Sequence, residues 1–500
     1  MSKKIDHAKN ELLKTGKDFS FYLPTRIIPA ILGFITIPIF THKLGPDNYG
    51  VLALITTFTS LVVSISTNWL TSPIIRFFPN YLKKNKISLF SSTLSLLIFG
   101  FAISLALISF LVFLCLKSKL DQPVYIAFLI ASAQIFVSSI SQCYVAFFRA
   151  SRQTKIYLGY SLIKTIFSSI LSIIFVLIGF GVIGILLGEI LSSLFVILVY
   201  LSKIKSFFKI KFLLFSKKIA RQSMSFGLPL VISAFSIWIL ASSDRYMIKY
   251  FLDNSAVGIY SVPYNITQQS LLLIISSFVL ASTPSLVNSW ENYKNQTSDF
   301  LKYLNRLFII LILPLTILIS ILGKPIILLL APADFLNGYK IMALVAFGVF
   351  FWGLYQLAYT GLYLKKKTWT IAINVFIAGI INIVLNFFMI PKMGINGAAL
   401  ATLIAYFYIF ISTIIIVKKI LPWKLPEGST IVKILFCATL SILPIWLILK
   451  LNLGAVWQIL IGTIIYILSY AGLLFLTKSV YPAEKEFLVF KIKKALGKIF

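Results

Sequence analysis

Acidic residues are scarce in this chain of 500 residues: 14 Asp and Glu stand against 46 Lys and Arg, a formal net charge of +32. Charge of either sign is scarce too, at 12% of residues, where a water-soluble domain carries about 25%. Histidine occurs only at His7 and His42, and cysteine only at Cys115, Cys143 and Cys437, all three inside apolar runs. These residues support neither a disulfide framework nor metal-ligand spacing. A Gly-rich phosphate cradle is missing as well. What the chain has in abundance is hydrophobic surface, 59% of its residues. That leaves too little polar surface to face water, so lipid must be its main solvent. A soluble enzyme, a disordered chain and a secreted disulfide scaffold are thereby excluded.

A helix needs about 20 mainly apolar residues to cross the hydrocarbon of a bilayer. By that measure the sequence predicts fourteen spans, at 21–41, 49–72, 89–116, 123–148, 157–179, 182–202, 224–250, 258–284, 303–330, 338–363, 369–390, 396–417, 430–450 and 454–477. The runs are too long and too uniformly apolar for barrel strands. The expected class is therefore an all-α integral membrane protein.

Sorted by connection, 34 Lys and Arg fall in the two tails and the even-numbered connections, and seven fall in the odd ones. The positive-inside rule then places both termini in the cytoplasm. It also accounts for the high net charge without nucleic acid: the basic face sits against anionic lipid headgroups. The longest connection is the basic stretch 203–222, and no external one exceeds about ten residues. With no sizeable loop to carry catalytic groups, the expectation is a transporter and not an enzyme.

The chain repeats itself. Ser20-Phe-Tyr-Leu-Pro24 is matched by Ser225-Phe-Gly-Leu-Pro229, Tyr49-Gly50 by Val257-Gly258, Arg152-Gln153-Thr154 by Lys366-Lys367-Thr368, and Gly181-x-x-Gly184 by Gly394-x-x-Gly397. The offsets run from 205 to 214. Two six-helix lobes of like orientation follow, with pseudo-symmetry about the membrane normal and two extra C-terminal helices. The expected organisation is an N-lobe at 1–202, a cytoplasmic linker at 203–222, a C-lobe at 223–417, spans 13 and 14 within 418–477, and a basic tail at 478–500. A path between lobes, opened by alternating access, is expected.

Pro24, Pro29 and Pro38 predict a bent first span. Charges inside spans usually face a bundle interior or a wet cavity. Arg26, Lys164, Glu189, Asp244 and Arg245 are the candidates. Asp244 and Arg245 are adjacent, about 100° apart on a helix, so at least one should reach another helix or the cavity. Asn374, Asn382 and Asn386 form one stripe on span 11, best read as interhelical hydrogen bonding.

Several segments carry a resemblance. Leu44-Gly-Pro-Asp-Asn-Tyr-Gly50, Ile74-Ile-Arg-Phe77, Ser243-Asp-Arg-Tyr246, Val257-Gly-Ile-Tyr260 and Gly394-Ile-Asn-Gly-Ala-Ala399 resemble the polysaccharide-biosynthesis membrane proteins, the Wzx-like oligosaccharide flippases. The resemblance implies a multidrug/oligosaccharidyl-lipid/polysaccharide-type exporter of the bacterial cytoplasmic membrane. Its cargo would be an undecaprenyl-diphosphate-linked oligosaccharide for O-antigen, capsule or similar glycan. Membrane lipids and other polysaccharide-assembly proteins would be its partners. Arg76, Asp244 and Arg245 fall on matched motifs. On this reading Arg26, Arg76, Lys164 and Arg245 engage or recruit the anionic substrate, and Asp244 or Glu189 binds a coupling proton or Na+, with no further cofactor. The alternatives are a lipid II flippase or a multidrug/cation antiporter of the same superfamily and, in another class, a membrane glycan ligase or polymerase.

Overall fold

The computed structural model describes residues 24–207, 211–292, 297–365, 367–418, 423–451 and 453–479. The five N-terminal lysines and all tail cations beyond Lys478 lie outside the described residues. Among the described residues every regular element is helical and no strand occurs.

Among the described residues thirteen helices are long and apolar enough to cross a membrane. The first, Pro24–Lys83, has 60 residues, about 90 Å at 1.5 Å per residue and some three times the hydrocarbon thickness. It is two spans. Gly45, at φ 67° and ψ 176°, leaves helical geometry for a backbone region that essentially only glycine adopts. Counted so, the described residues hold fourteen spans, as the apolar runs predict. Pro29 and Pro38 lie within this helix, and among its described residues the non-helical dihedrals fall at Gly45.

Spans 3 to 6 are Ile87–Cys115, Gln122–Ala150, Thr154–Leu177 and Gly181–Val199. The last two are separate helices joined through Gly179 and Gly181, both at positive φ. Span 7 is broken into Lys217–Ser242 and Asp244–Phe251, and span 13 into Gly428–Leu440 and Ile442–Lys450. Span 8 is Asn254–Asn292. Span 9 is Thr297–Ile321 with Gly323–Leu330. Spans 10, 11, 12 and 14 are Ile341–Leu364, Thr368–Met393, Ile395–Lys418 and Ala455–Leu476.

The chain packs into two compact units. One holds the described residues up to Ile266 with Leu330–Gly338 and Ala372–Ala405; the other holds Thr267–Leu329, Tyr339–Ile371 and the described residues from Tyr406 onward. The first therefore contains all of spans 1 to 6. Lipid tails are as apolar as leucine, so the spans associate by close packing and interhelical hydrogen bonds. In the first unit Trp69, Ile74, Phe78, Phe90, Phe147 and Tyr160 are fully buried together. Phe78 meets Phe147 edge-on, and Tyr81 stacks on Phe90 at 4.7 Å. In the second, Phe308 packs on Phe278 and Phe350, and the hydroxyls of Tyr466 and Tyr470 donate to the Ala438 and Ile310 carbonyls. Leucines and isoleucines such as Leu107, Ile108 and Leu111 of span 3 stay exposed, as a lipid-facing surface requires.

Candidate functional site

Spans 1, 2, 4, 5 and 6 enclose a polar recess in the first unit. Its larger chamber, about 660 Å³, is lined by Arg26, Arg149 and Lys164 with Asn68, Thr71, Ser141, Gln142, Tyr157, Tyr160 and Ser161 among others, and no carboxylate. The smaller chamber, about 460 Å³, has Lys164 and Glu189 with Gln134, Gln142 and eight Ser or Thr side chains; Val63 is its single apolar lining residue. Gln142, Lys164 and Thr165 line both, so Lys164 stands at their junction. Both volumes lie in the range of about 300–1,000 Å³ usual for ligand cavities.

Helical spacing builds this surface. Gln134, Ser138, Gln142, Val145 and Arg149 follow one another at intervals of three or four along span 4, and on span 5 Lys164 and Thr165 each lie three or four residues from Ser161 and Ser168. Many hydroxyls satisfy themselves on their own helix: Thr56 donates to Leu52 O and Thr59 to Ile55 O, both at 2.8 Å, and Thr165 to Ser161 O at 2.9 Å. Such back-bonding lets an apolar span carry a wet stripe. The longer side chains bond across helices. Lys164 Nζ donates to Ser141 Oγ at 3.3 Å, which pairs with Tyr160 Oη at 2.9 Å. Thr67 Oγ1 donates to Gln142 Oε1 at 3.0 Å. Gln134 Nε2 donates to the Glu189 carboxylate. Span 6 is drawn onto span 5 by Ser172 Oγ, which donates to Ile185 O at 3.3 Å. Lys164 and Glu189 attract each other, yet the larger chamber presents cations alone. It is therefore equipped to take an anionic group, and the smaller one to take hydroxyls.

Asp244 and Arg245 lie elsewhere in the unit and are buried. The break after Ser242 makes Asp244 the first residue of a new helix. Its Oδ1 accepts both the Arg245 backbone N–H, at 2.8 Å, and Arg245 Nη1, at 3.2 Å. The two neighbours, both within this helix, therefore pair directly with each other. Tyr260 donates to the other carboxylate oxygen. Arg245 continues to Ala241 O and Asn265 Oδ1, both at 3.2 Å, and lies over the Tyr264 ring at 4.7 Å. Close by in sequence, Ser243 donates to Asn382 Oδ1, as does Asn386, and Asn382 Nδ2 donates to Thr402. The asparagine stripe does bond between helices.

Of the six residues singled out from sequence, the recess gathers Arg26, Lys164 and Glu189. Arg245 and Asp244 form the buried network instead. Arg76 is exposed, with its guanidinium 4.3 Å from the Phe226 ring centroid. By sequence Arg149 falls in the connection after span 4, and Gln134, Gln142 and the Ser/Thr stripes carry no charge to mark them, although their three-or-four spacing on spans 2, 4 and 5 is a readable signal.

A family model described as polysaccharide biosynthesis protein matches residues 15–290. An uncharacterized membrane protein of Methanocaldococcus jannaschii is 23% identical over 96% of this chain and 99% of its own length. Among solved structures, the lipid II flippase MurJ in an inward closed conformation superposes with a TM-score of 0.74 at 19% identity, covering 91% of this chain and 98% of that one. A multidrug resistance MATE transporter of the MOP superfamily, inward-facing, gives 0.61 at 14% identity over 79% and 97%. The fold is thus shared with multi-pass membrane transporters.

Proposed function

Because the chain belongs to the polysaccharide biosynthesis protein family, we propose that it is a flippase that carries a lipid-linked oligosaccharide diphosphate from the inner to the outer leaflet of the cytoplasmic membrane. The observation that carries this reading is the cation-only chamber of Arg26, Arg149 and Lys164 opening onto a hydroxyl-lined one. A diphosphate bears charge that hydrocarbon resists by several kcal/mol or more. Guanidinium and ammonium groups in a water-filled recess offset that penalty through charge-assisted hydrogen bonds. The serine, threonine and glutamine walls suit the hydroxyl-rich sugar, and the polyprenyl tail remains in lipid. Rocking of the first repeat copy, which holds the recess, against the second then exposes it to each leaflet in turn, with both termini in the cytoplasm. Glu189, held by Gln134 beside Lys164, binds the coupling proton or Na+.

The test is complementation of a strain lacking its own flippase for a surface glycan. The wild-type chain should restore the glycan, and Lys164→Ala should not, at equal membrane abundance. Restoration by Lys164→Ala would remove the recess from the mechanism. The fold shared with MurJ makes lipid II the second cargo to try, by rescue of a strain depleted of its lipid II flippase.

A further inference from the structure

A second basic cavity lies outside the recess, where the turn between spans 2 and 3 meets the start of span 7. Its volume is about 340 Å³, and Lys84, Lys86 and Lys218 line it with Asn80, Gln222 and the Tyr81 ring. Charge asymmetry assigns this end of the bundle to the cytoplasmic face. We infer that this cavity is a binding site for the headgroup of an anionic glycerophospholipid.

Four observations converge on it. First, no Asp or Glu occurs in residues 48–120 or 190–243, which supply every wall of the cavity, so its three ammonium groups have no carboxylate on those elements. Second, span 3 starts there: Lys86 is its N-cap position, and no side chain caps that end of a 29-residue helix. Its first N–H groups and the positive end of its dipole are suited to a phosphate oxygen. Third, the wall is built. Asn85, at φ 53°, reverses the chain so that Lys84 and Lys86 flank one turn, and Tyr81 Oη donates to Gln222 Oε1 at 3.0 Å. The linker is tied down next to it, because Lys211 N and Ser216 N donate to Ser92 Oγ and Thr93 Oγ1, each at 3.0 Å. Fourth, the same linker holds Phe212 and Leu213 almost fully exposed, at 80% and 99%. An apolar tip beside a cationic cavity fits an amphiphile better than a free ion: glycerol and acyl chains can lie along the tip while the phosphate enters the cavity.

The experiment measures lipid retained by the purified full chain, by native mass spectrometry in detergent with added phosphatidylglycerol. Phosphatidylcholine and inorganic phosphate serve as separate probes. Wild type should retain phosphatidylglycerol and neither other probe. K84Q/K86Q/K218Q should bind it about a hundredfold more weakly, since each basic residue at an anionic lipid surface contributes roughly a fivefold factor. The charge-conserving K84R/K86R/K218R should bind as wild type, which separates lost charge from lost folding. Equal retention of phosphatidylcholine, or equal binding in the glutamine variant, overturns the proposal. Binding of inorganic phosphate with the affinity of the lipid overturns the lipid assignment in favour of a free-anion site. Neither result depends on transport, so the flippase reading stands or falls separately.

Discussion

Gly50 and Gly258, which hold matching places in the two sequence copies, meet backbone to backbone. A Cβ on Gly50 would strike the Asn254 carbonyl, and a Cβ on Gly258 would strike the Pro46 carbonyl, each four residues before the opposite glycine. The contact is symmetric, as a duplicated unit folded about a pseudo-two-fold axis would produce. Gly50→Ala or Gly258→Ala should therefore lower stability by about 1–3 kcal/mol through overpacking. Gly100→Ala is the control. A Cβ there meets nothing within 4 Å, so it should stabilise by up to about 1 kcal/mol through helix propensity. Thermal unfolding in detergent distinguishes the opposite signs.

Asp244 and Arg245 predict a different kind of loss. Removing one member of a buried pair strands the other charge, at about 3–5 kcal/mol. Arg245→Ala and Asp244→Ala should each reduce folded protein in the membrane, whereas Asp244→Leu with Arg245→Met should recover most of it. A double-mutant cycle on unfolding midpoints measures the coupling. Full abundance of Arg245→Ala with lost transport would instead return Arg245 to the transport path.

Glu189 should govern energetic coupling more than substrate capture. In proteoliposomes Glu189→Gln should still move substrate down its gradient but lose acceleration by an imposed proton or sodium gradient. The readout is flipping rate with and without each gradient.

Lys302 and Glu427 join at 2.9 Å, and Lys424 and Asp299 at 3.1 Å, both pairs on the surface of the second unit. The Lys302 ammonium holds the Glu427 carboxyl below its usual range by hydrogen bonding and charge. A lowered folded value means that the contribution is present above the ordinary carboxylate range and fades as pH falls through the folded value. Exposed pairs are weak and screened. Glu427→Gln should thus shift the midpoint slightly at neutral pH and low salt, and not at all in 1 M salt or strong acid.

The spans were legible because runs of 20 apolar residues in a chain with 60 charges admit few other readings. The departure at Gly45 falls in the connection that the apolar runs leave between 41 and 49, whereas Pro29 and Pro38, breaker residues too, stay within the helix. The interruption between Ser242 and Asp244 has no glycine or proline to announce it, and Ser243 itself keeps helical dihedrals. The Tyr260 bond to Asp244, from 16 residues away, is a tertiary contact that local sequence does not display. Arg149 was counted with the loop cations, but its helix runs on to Ala150 and delivers it to the recess. Charged residues drew notice where runs of serine and threonine did not, although the latter supply most of the smaller chamber.

The most direct test of the account is flipping of a fluorescent polyprenyl-diphosphate oligosaccharide by purified protein in liposomes. Wild type should move it between leaflets, and Arg26→Gln with Lys164→Gln should slow it at least tenfold, with folding unchanged and an uncharged polyprenyl glycoside moved poorly by both. Equal rates for wild type and the double variant would contradict a cationic recess that shelters the diphosphate.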